Sequence, residues 1–142
     1  ENEQKRTALA SLETDQVTGL STRDELFIKE SELIKKLAKK DSCVIVGRCA
    51  DFIMKDNKNA VKVFIYSNME DKIKRVNKFY GVDKEKAEKE IKNTDKQRAN
   101  HYKHYTDREW KEYSNYDICI NSDTLGVEKS ADVIYNIIQN RK

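Results

Sequence analysis

One segment in the second half of the chain combines cations with hydrogen-bonding aromatic side chains. It reads DKQRANHYKHYT from residue 95 to residue 106, which is about three turns if the segment is helical. Phosphoryl transfer is catalysed chiefly by positioning and by cations that neutralise the oxygens of the transferred group, so such a cluster suits a site that closes over phosphates. The side chains that could act in this way are Lys96, Arg98, His101, Tyr102, His104 and Tyr105.

The same segment belongs to a longer charged run, from residue 70 to 108, in which acidic residues are almost as frequent as basic ones. A helix of mixed charge is usually a solvated face stabilised by pairs four residues apart, and this interpretation accounts for most lysines of the run. His101 and His104 are three residues apart, but no third ligand accompanies them at a spacing typical of a metal site. The sequence therefore predicts no metal site here.

A second candidate feature is Arg48, which directly follows the apolar run CVIVG and is itself followed a turn later by Asp51. Ligands of open α/β sheets bind at the carboxyl ends of the strands, where an arginine can contact a phosphate through two N–H groups. The alternative is that Arg48 only caps a helix or pairs with Asp51. Position alone does not decide between these interpretations.

The apolar segments that must position these residues indicate an α/β fold. Short apolar runs, rich in β-branched residues, predict strands at 42–47, 61–66 and 116–121. Apolar periodicity or charge pattern predicts helices at 22–40, 69–79, 83–105 and 126–140. Strands that alternate with helices favour a parallel sheet covered on both faces, and no second domain is indicated within residues 1–142.

Local signals refine some of these boundaries. Thr22 and Glu25 form a capping-box pattern at the start of the first long helix. Residues 1–14 favour helix by composition, and a loop is expected at 15–21. Aromatic residues after the charged run are expected to pack beneath it rather than to stack on bases: Trp110, Tyr113 and Tyr116.

Composition narrows the class of protein. The 28 Lys and Arg residues face 25 Asp and Glu residues, and a net charge of +3 is too small to argue for nucleic-acid binding. Cys43 and Cys119 lie in apolar runs, so the three cysteines are expected to be reduced and buried. No apolar run is long enough to cross a membrane and the first residues are not a signal peptide, so a cytoplasmic location is expected.

Several segments together resemble the cytidylate kinase-like family, relatives of bacterial cytidylate kinase among the nucleoside monophosphate kinases. The resemblance extends from about Leu26 to Ile138, and its most specific parts are GRCAD and NYDICINSDTLG. It implies a P-loop NTPase-like three-layer α/β fold with a parallel sheet and a helical lid at about 78–108. It also implies transfer of a phosphoryl group from ATP, with Mg²⁺, to a nucleoside monophosphate or a related small acceptor.

The resemblance also implies roles for individual residues. Arg48, with Asp51 nearby, would contact the phosphate of the acceptor. Arg75, on the helix that enters the lid, and Arg98 would clamp the transferred and donor phosphates as catalytic residues. Asp95 would orient Arg98. Weaker candidates for substrate binding are Lys96, His101 and Tyr102.

The chain departs from the family pattern in lacking a glycine-rich phosphate loop. Its glycines are Gly19, Gly47, Gly81 and Gly126, none clustered and none followed by lysine. In the resembled fold, the strand that carries this loop lies between the strands predicted at 42–47 and 61–66. We therefore expect the central strand and its loop to be missing from these 142 residues, and the chain by itself to be inactive.

Three explanations are open for the missing segment. The sequence could be part of a longer molecule, another segment or copy could supply the strand, or the core could be rearranged; the start at Glu1 without methionine favours the first. The alternative function is a non-catalytic member of the same fold that binds nucleotide or acts as a scaffold. The base of the acceptor and the oligomeric state do not follow from the sequence.

Overall fold

A computed structural model describes residues 19–141 of the chain as a mixed α/β structure. Its elements in chain order are α1 (Thr22–Lys40), α2 (Ala50–Ile53), β1 (Val63–Tyr66), α3 (Met69–Tyr80), α4 (Lys84–Thr106), a 3₁₀ turn (Tyr113–Asn115), β2 (Ile118–Asn121) and α5 (Ser122–Gln139). The chain divides into two units, Glu1–Met54 and Lys55–Lys142. The helix-favouring residues 1–14 and most of the loop expected at 15–21 lie outside the described residues.

In the first unit, α1 occupies the predicted residues, but its cap lies one residue earlier than predicted. The N-cap is Ser21, whose backbone is extended and whose Oγ accepts a hydrogen bond from the backbone N–H of Asp24 at 3.2 Å. Thr22 is already helical, so the prediction of a Thr22–Glu25 capping box was wrong. A serine hydroxyl can satisfy the amide of the third helical residue only from the residue just outside the helix.

The predicted strand at 42–47 does not form in the part of the chain that the structure describes. Its side chains are largely open to solvent, with Val44 93% and Val46 86% exposed. A strand needs a neighbour for its backbone groups, and within residues 19–141 the sheet contains only β1 and β2. The β-branched residues of this segment favour a strand, but in the described residues there is no partner strand with which they pair.

The burial of the cysteines also differs from the prediction. Cys43 and Cys119 are exposed, whereas Cys49, which lies outside the apolar runs, is buried. An apolar run marks a buried strand only where another layer covers it, so position within such a run did not predict burial.

In the second unit, β1 and β2 pair in parallel, as predicted, from Val63 opposite Ile118 to Tyr66 opposite Asn121. Both strands are shorter than predicted at their amino ends. The carbonyl of Lys62 accepts the backbone N–H groups of Asp117 and Ile118, at 2.8 and 3.1 Å. Because the strands are parallel, the residues that follow each of them meet at one edge of the sheet.

Helices α3 and α4 form a hairpin after β1. Asn68 caps α3 by accepting from the N–H of Asp71 at 2.9 Å, and Asp83 caps α4 by accepting from the N–H of Lys86 at 3.0 Å. Gly81 ends α3 with φ of 65°, a left-handed conformation that glycine adopts without strain. The two helices enclose a small apolar cluster of Ile73, Ala87 and Ile91.

An aromatic cluster packs against the sheet. The ring of Phe64 stacks on Tyr116 at 4.9 Å between centroids and meets Trp110 edge-on at 5.6 Å. The hydroxyl of Tyr116 donates to the carbonyl of Trp110 at 2.6 Å. Trp110 and Tyr116 therefore have the packing role that was predicted, but their ring contacts are with Phe64 of β1; Tyr113, in the 3₁₀ turn, is 76% exposed, so its predicted packing was wrong.

The last helix begins four residues earlier than predicted. Asn121 caps α5 by accepting from the N–H of Asp123 at 3.0 Å, and Gly126, at φ 76° and ψ 170°, interrupts the helix where the prediction began it. The apolar periodicity that predicted this helix comes from Val127, Ala131, Ile134, Ile137 and Ile138. Three of these residues, Val127, Ile137 and Ile138, are exposed. The periodicity indicated the helix correctly, but not burial of its apolar face.

The tightness of the hairpin core can be tested at Ala87, which is fully buried. We expect Ala87→Leu to lower the free energy of unfolding by about 1–3 kcal/mol, because the added methylene groups have no space between α3 and α4. Urea denaturation followed by circular dichroism measures this change. Lys89→Leu, at an exposed position of the same helix, is the matched control and should change stability by no more than about 0.5 kcal/mol. Equal losses would show that Ala87 is not closely packed.

Candidate functional site

Two polar residues meet at the carboxyl ends of β1 and β2. Ser67 follows β1, and Asp123 lies two residues beyond β2. The Asp123 carboxylate accepts the hydroxyl of Ser67 through Oδ1 and the backbone N–H of Asn68 through Oδ2, both at 2.6 Å. Its side chain is only 9% exposed, so these charge-assisted hydrogen bonds hold the two strand ends together in a shielded place.

Arg75 is brought to the same carboxylate by α3. Its Nη1 lies 3.8 Å from Oδ1 of Asp123, and its side chain is 38% exposed. Asn68 both caps α3 and donates its backbone N–H to Asp123, so the start of the helix is fixed relative to the strand ends. One end of the guanidinium therefore faces Asp123, and since arginine has five N–H donors, others can contact a ligand.

A second carboxylate, Asp95 on α4, is surrounded by cations. Its Oδ2 lies 2.5 Å from Nζ of Lys72 and 4.0 Å from Nζ of Lys111, while its Oδ1 lies 3.6 Å from Nη1 of Arg98. Three cations against one carboxylate leave a local charge of +2. Asp95 is 15% exposed, whereas Arg98 and Lys111 are 62% and 66% exposed, so positive charge faces solvent around a shielded acid.

Helix α3 connects the two carboxylates. Lys72 and Arg75 are three residues apart, and residues at this spacing lie on the same side of a helix. Lys72 contacts Asp95 and Arg75 contacts Asp123. The two predicted catalytic arginines, Arg75 and Arg98, therefore belong to two separate groups of ion pairs that α3 joins, and we call the two groups together the candidate catalytic network.

The remaining residues predicted on α4 are placed differently. Lys96 is exposed. Tyr102 is 3% exposed, and its carbonyl accepts the hydroxyl of Thr106 at 2.7 Å, which favours a packing role over ligand contact. His101 is half-buried, with its ring edge-on to Tyr105 at 4.9 Å.

Other charges of the run behave as a solvated face. Lys92 pairs with Glu88 at 2.6 Å, and this hydrogen bond lowers the pKa of Glu88 below its usual value. Lys103 pairs with Glu109 at 3.2 Å, chiefly a hydrogen-bonded contact, which raises the pKa of Lys103. The interpretation of the run as mostly surface agrees with these exposed pairs.

In the first unit, Arg48 lies in a strained turn. Gly47, Arg48 and Cys49 have φ values of 71°, 55° and 54°, so three successive residues are left-handed, which is costly for the two that carry side chains. Cys49 is the N-cap of α2, so Arg48 does not cap this helix. Its guanidinium Nη1 lies 3.4 Å from Oε1 of Glu30, and its side chain is 62% exposed.

Cys49 is the last residue of this turn, and Asp51 follows two residues later. Burial raises the pKa of the Cys49 thiol to about 11, and the negative charges of Asp51 and Glu30 add to the effect. The thiol is therefore protonated and unreactive at neutral pH. Asp51 lies in α2 and is half-buried.

Within residues 19–141, no group of three or more His, Cys, Asp or Glu side chains could hold a metal ion. None of the helices described there is long and apolar enough to cross a membrane.

Arg75 on α3 lies beside the carboxyl ends of the parallel strands, which is the edge where open α/β sheets bind their ligands. The model of the cytidylate kinase-like family matches residues 1–124, and the chain belongs to this family. The resemblance inferred from the sequence is thereby confirmed.

A solved structure provides a second comparison. The crystal structure of an uncharacterized protein from Eubacterium ventriosum is 35% identical in sequence to this chain, with a TM-score of 0.79. The match covers 84% of this chain and 68% of that one. Among curated proteins, none was found to match.

Ser67, Asp123 and Lys72 were not predicted as site residues from the sequence. Ser67 and Asp123 follow predicted strands closely, so the rule that drew attention to Arg48 could also have indicated them. Lys72 had no such signal, because it is one of many lysines in a charged run and only the hairpin brings it to Asp95.

The raised pKa of Cys49 predicts a particular pH profile of alkylation. In a variant that retains only Cys49 (Cys43→Ser, Cys119→Ser), we expect iodoacetamide to react slowly at neutral pH and the rate to rise until about pH 11. A variant that retains only the exposed Cys43 is the matched control and should react faster at neutral pH. A midpoint for Cys49 near 9.0, the ordinary pKa of a thiol, would contradict the burial of this side chain.

The raised pKa of Cys49 also makes the free energy of unfolding depend on pH. Because the folded pKa lies above the unfolded one, the contribution of Cys49 is fully present below pH 9.0 and is lost as the pH rises through about 11. In Cys49→Ala, the free energy of unfolding should therefore fall less between pH 9.0 and about 11 than in the unmodified protein, as measured by urea denaturation at each pH.

Proposed function

We propose that the protein takes part in ATP-dependent phosphoryl transfer to a nucleoside monophosphate or a similar small phosphate acceptor. Membership of the cytidylate kinase-like family supports the reaction class, and the observation that carries the proposal is the excess of positive charge around Asp95, joined through α3 to Arg75. Phosphoryl transfer depends on positioning and on neutralising the charge of the phosphoryl oxygens, and both are functions that fixed arginines supply.

In this proposal Arg75 and Arg98 contact the phosphates directly. Asp123 holds Arg75 at the strand ends, and Asp95 limits the positions that Arg98 can adopt. Lys72 balances the charge of Asp95 at 2.5 Å, so Arg98, at 3.6 Å, is the more weakly held partner and the more easily recruited by a ligand.

The end of α3 and all of α4 fall within the lid proposed at 78–108. In such a lid, closure over the substrate would move Arg98 to the phosphates and exclude water. Lys96 and His101, on the same helix, are proposed to contact substrate in the closed state.

Arg48 is proposed to bind the phosphate of the acceptor, with Asp51 beside it. The strained turn supports this role, because backbone strain in a folded protein is concentrated at functional sites. Arg48 is 62% exposed in its pair with the half-buried Glu30, so a phosphate that approaches from solvent could replace that carboxylate as the partner of Arg48.

The complete fold is proposed to be of the P-loop NTPase type, in which ATP donates the phosphoryl group. The cations of α3 and α4 fit the charge of its phosphates. The dispersed glycines of the chain do not form a phosphate loop, and the described residues offer no cage for Mg²⁺. The same glycine pattern favours a second candidate function, a member of the fold that binds nucleotide without catalysis.

An assay of the full-length protein distinguishes the two. With ATP, magnesium and a panel of nucleoside monophosphates, the proposal predicts formation of ADP that depends on the acceptor. Saturable binding of a monophosphate without any ADP above background would instead establish the non-catalytic function.

In the same protein, we expect Arg98→Ala to lower kcat by about 100-fold or more, because it removes a charge that acts on the transferred group. The free energy of unfolding should change by no more than about 0.5 kcal/mol, since the side chain is 62% exposed. Steady-state kinetics and urea denaturation measure the two effects.

Lys92→Ala is the matched control for this prediction, because it removes an exposed cation from an ion pair on the same helix. It should leave kcat within about twofold of the unmodified protein. Equal losses of activity and stability in Arg98→Ala would show that Arg98 has a structural role.

A further inference from the structure

A cleft of about 380 Å³ lies at the amino ends of β1 and β2, opposite the edge that holds Ser67 and Asp123. It is lined by the loop at 55–62, the start of β2 and the end of α5 with Arg141 beyond it. Its volume lies at the lower end of the range of about 300–1,000 Å³ that is typical of small-molecule sites. The residues of the candidate catalytic network do not line it.

Arg141 is held in place at one side of this cleft. Its Nη1 donates to the carbonyl of Asn59 at 2.8 Å, and its Nη2 donates to the carbonyl of Lys58. The loop that offers these carbonyls is itself closed by hydrogen bonds from Ala60 N–H to the carbonyl of Asn57 and from Asn59 N–H to Oδ1 of Asn57. Neutral carbonyls thus position the guanidinium, and among the described residues no carboxylate forms an ion pair with it.

The remaining charges leave the cleft positive. Asp117 accepts the backbone N–H of Lys62 at 2.8 Å and pairs with its Nζ at 3.4 Å, so this acid is already neutralised. The lining includes the cations Lys55, Lys58, Lys62 and Arg141 and the acids Asp56 and Asp117, for a net charge of +2. Lys58 and Arg141 are exposed, on the solvent side of the cleft.

The cleft also has an apolar part, formed by Val61 and Ile118 at the strand starts and by Ile137 on α5. A positioned guanidinium beside a small apolar surface suits a ligand that combines an oxyanion with an uncharged organic group. We propose that this cleft binds a small phosphate monoester, with Arg141 as the principal phosphate contact and Lys58 as a second cation.

The site can be located by NMR titration of the ¹⁵N-labelled protein with inorganic phosphate and with adenosine 5′-monophosphate. We expect saturable shifts of the backbone amides at 55–62, 117–118 and 141, with dissociation constants of about 1 mM or lower for the monophosphate. Uncharged adenosine, lacking the phosphate, should produce no saturable shift there. Binding at the proposed acceptor site or at the candidate catalytic network would shift other amides, those around Arg48 or around Arg75 and Arg98, so these sites are distinguished from the cleft in one experiment.

Arg141→Gln should weaken binding at this cleft by about tenfold or more, while Lys129→Gln, an exposed change on α5 outside the lining, should leave it unchanged. Lys58→Gln provides a second test that leaves the hydrogen bonds of Arg141 in place, since these use the backbone of residue 58. Absence of saturable shifts at these amides up to about 10 mM ligand would overturn the proposal. Equal weakening by Arg141→Gln and Lys129→Gln would overturn it as well, because it would indicate general attraction to a basic surface.

Discussion

The carboxylate of Asp123 is the interaction on which the second unit depends. It accepts from the Ser67 hydroxyl and the Asn68 backbone at the end of one strand, while its own residue begins the helix after the other strand. A shielded carboxylate needs such donors to offset the loss of its hydration, and removal of one of them would leave part of that cost without compensation. The Asp123 carboxylate therefore links the carboxyl ends of β1 and β2 and fixes the start of α3.

Helices α3 and α4 position the candidate catalytic residues relative to Asp123. Arg75 contacts Asp123, and Lys72, on the same side of α3, contacts Asp95 on α4. The apolar cluster of Ile73, Ala87 and Ile91 keeps the two helices together, so charge and packing act on the same hairpin. Positive charge exceeds negative charge at Asp95, which is where an anionic substrate would complete the balance.

Much of the helical structure could be predicted from local signals, because apolar periodicity and charge pattern act within a few residues: α1 and α3 begin at the predicted positions, although the cap predicted for α1 was wrong. The strand at 42–47 could not, because β structure depends on a partner distant in the chain, and Val44 remains exposed. Arg75 and Arg98 were indicated by resemblance, but the acid that holds Arg75 and the lysine that shares Asp95 emerged only from tertiary contacts.

The central claim is that Asp123 acts on phosphate binding by positioning Arg75. Calorimetric titration with ATP, whose phosphates Arg75 is proposed to contact, should be made on the full-length protein without changes, on Asp123→Asn, on Arg75→Ala and on the double variant. If the claim holds, each single change weakens binding, and the double variant binds no more weakly than Arg75→Ala, because Asp123 has no effect once the arginine is gone. Losses that add in the double variant, or unchanged affinity in Asp123→Asn, would contradict it.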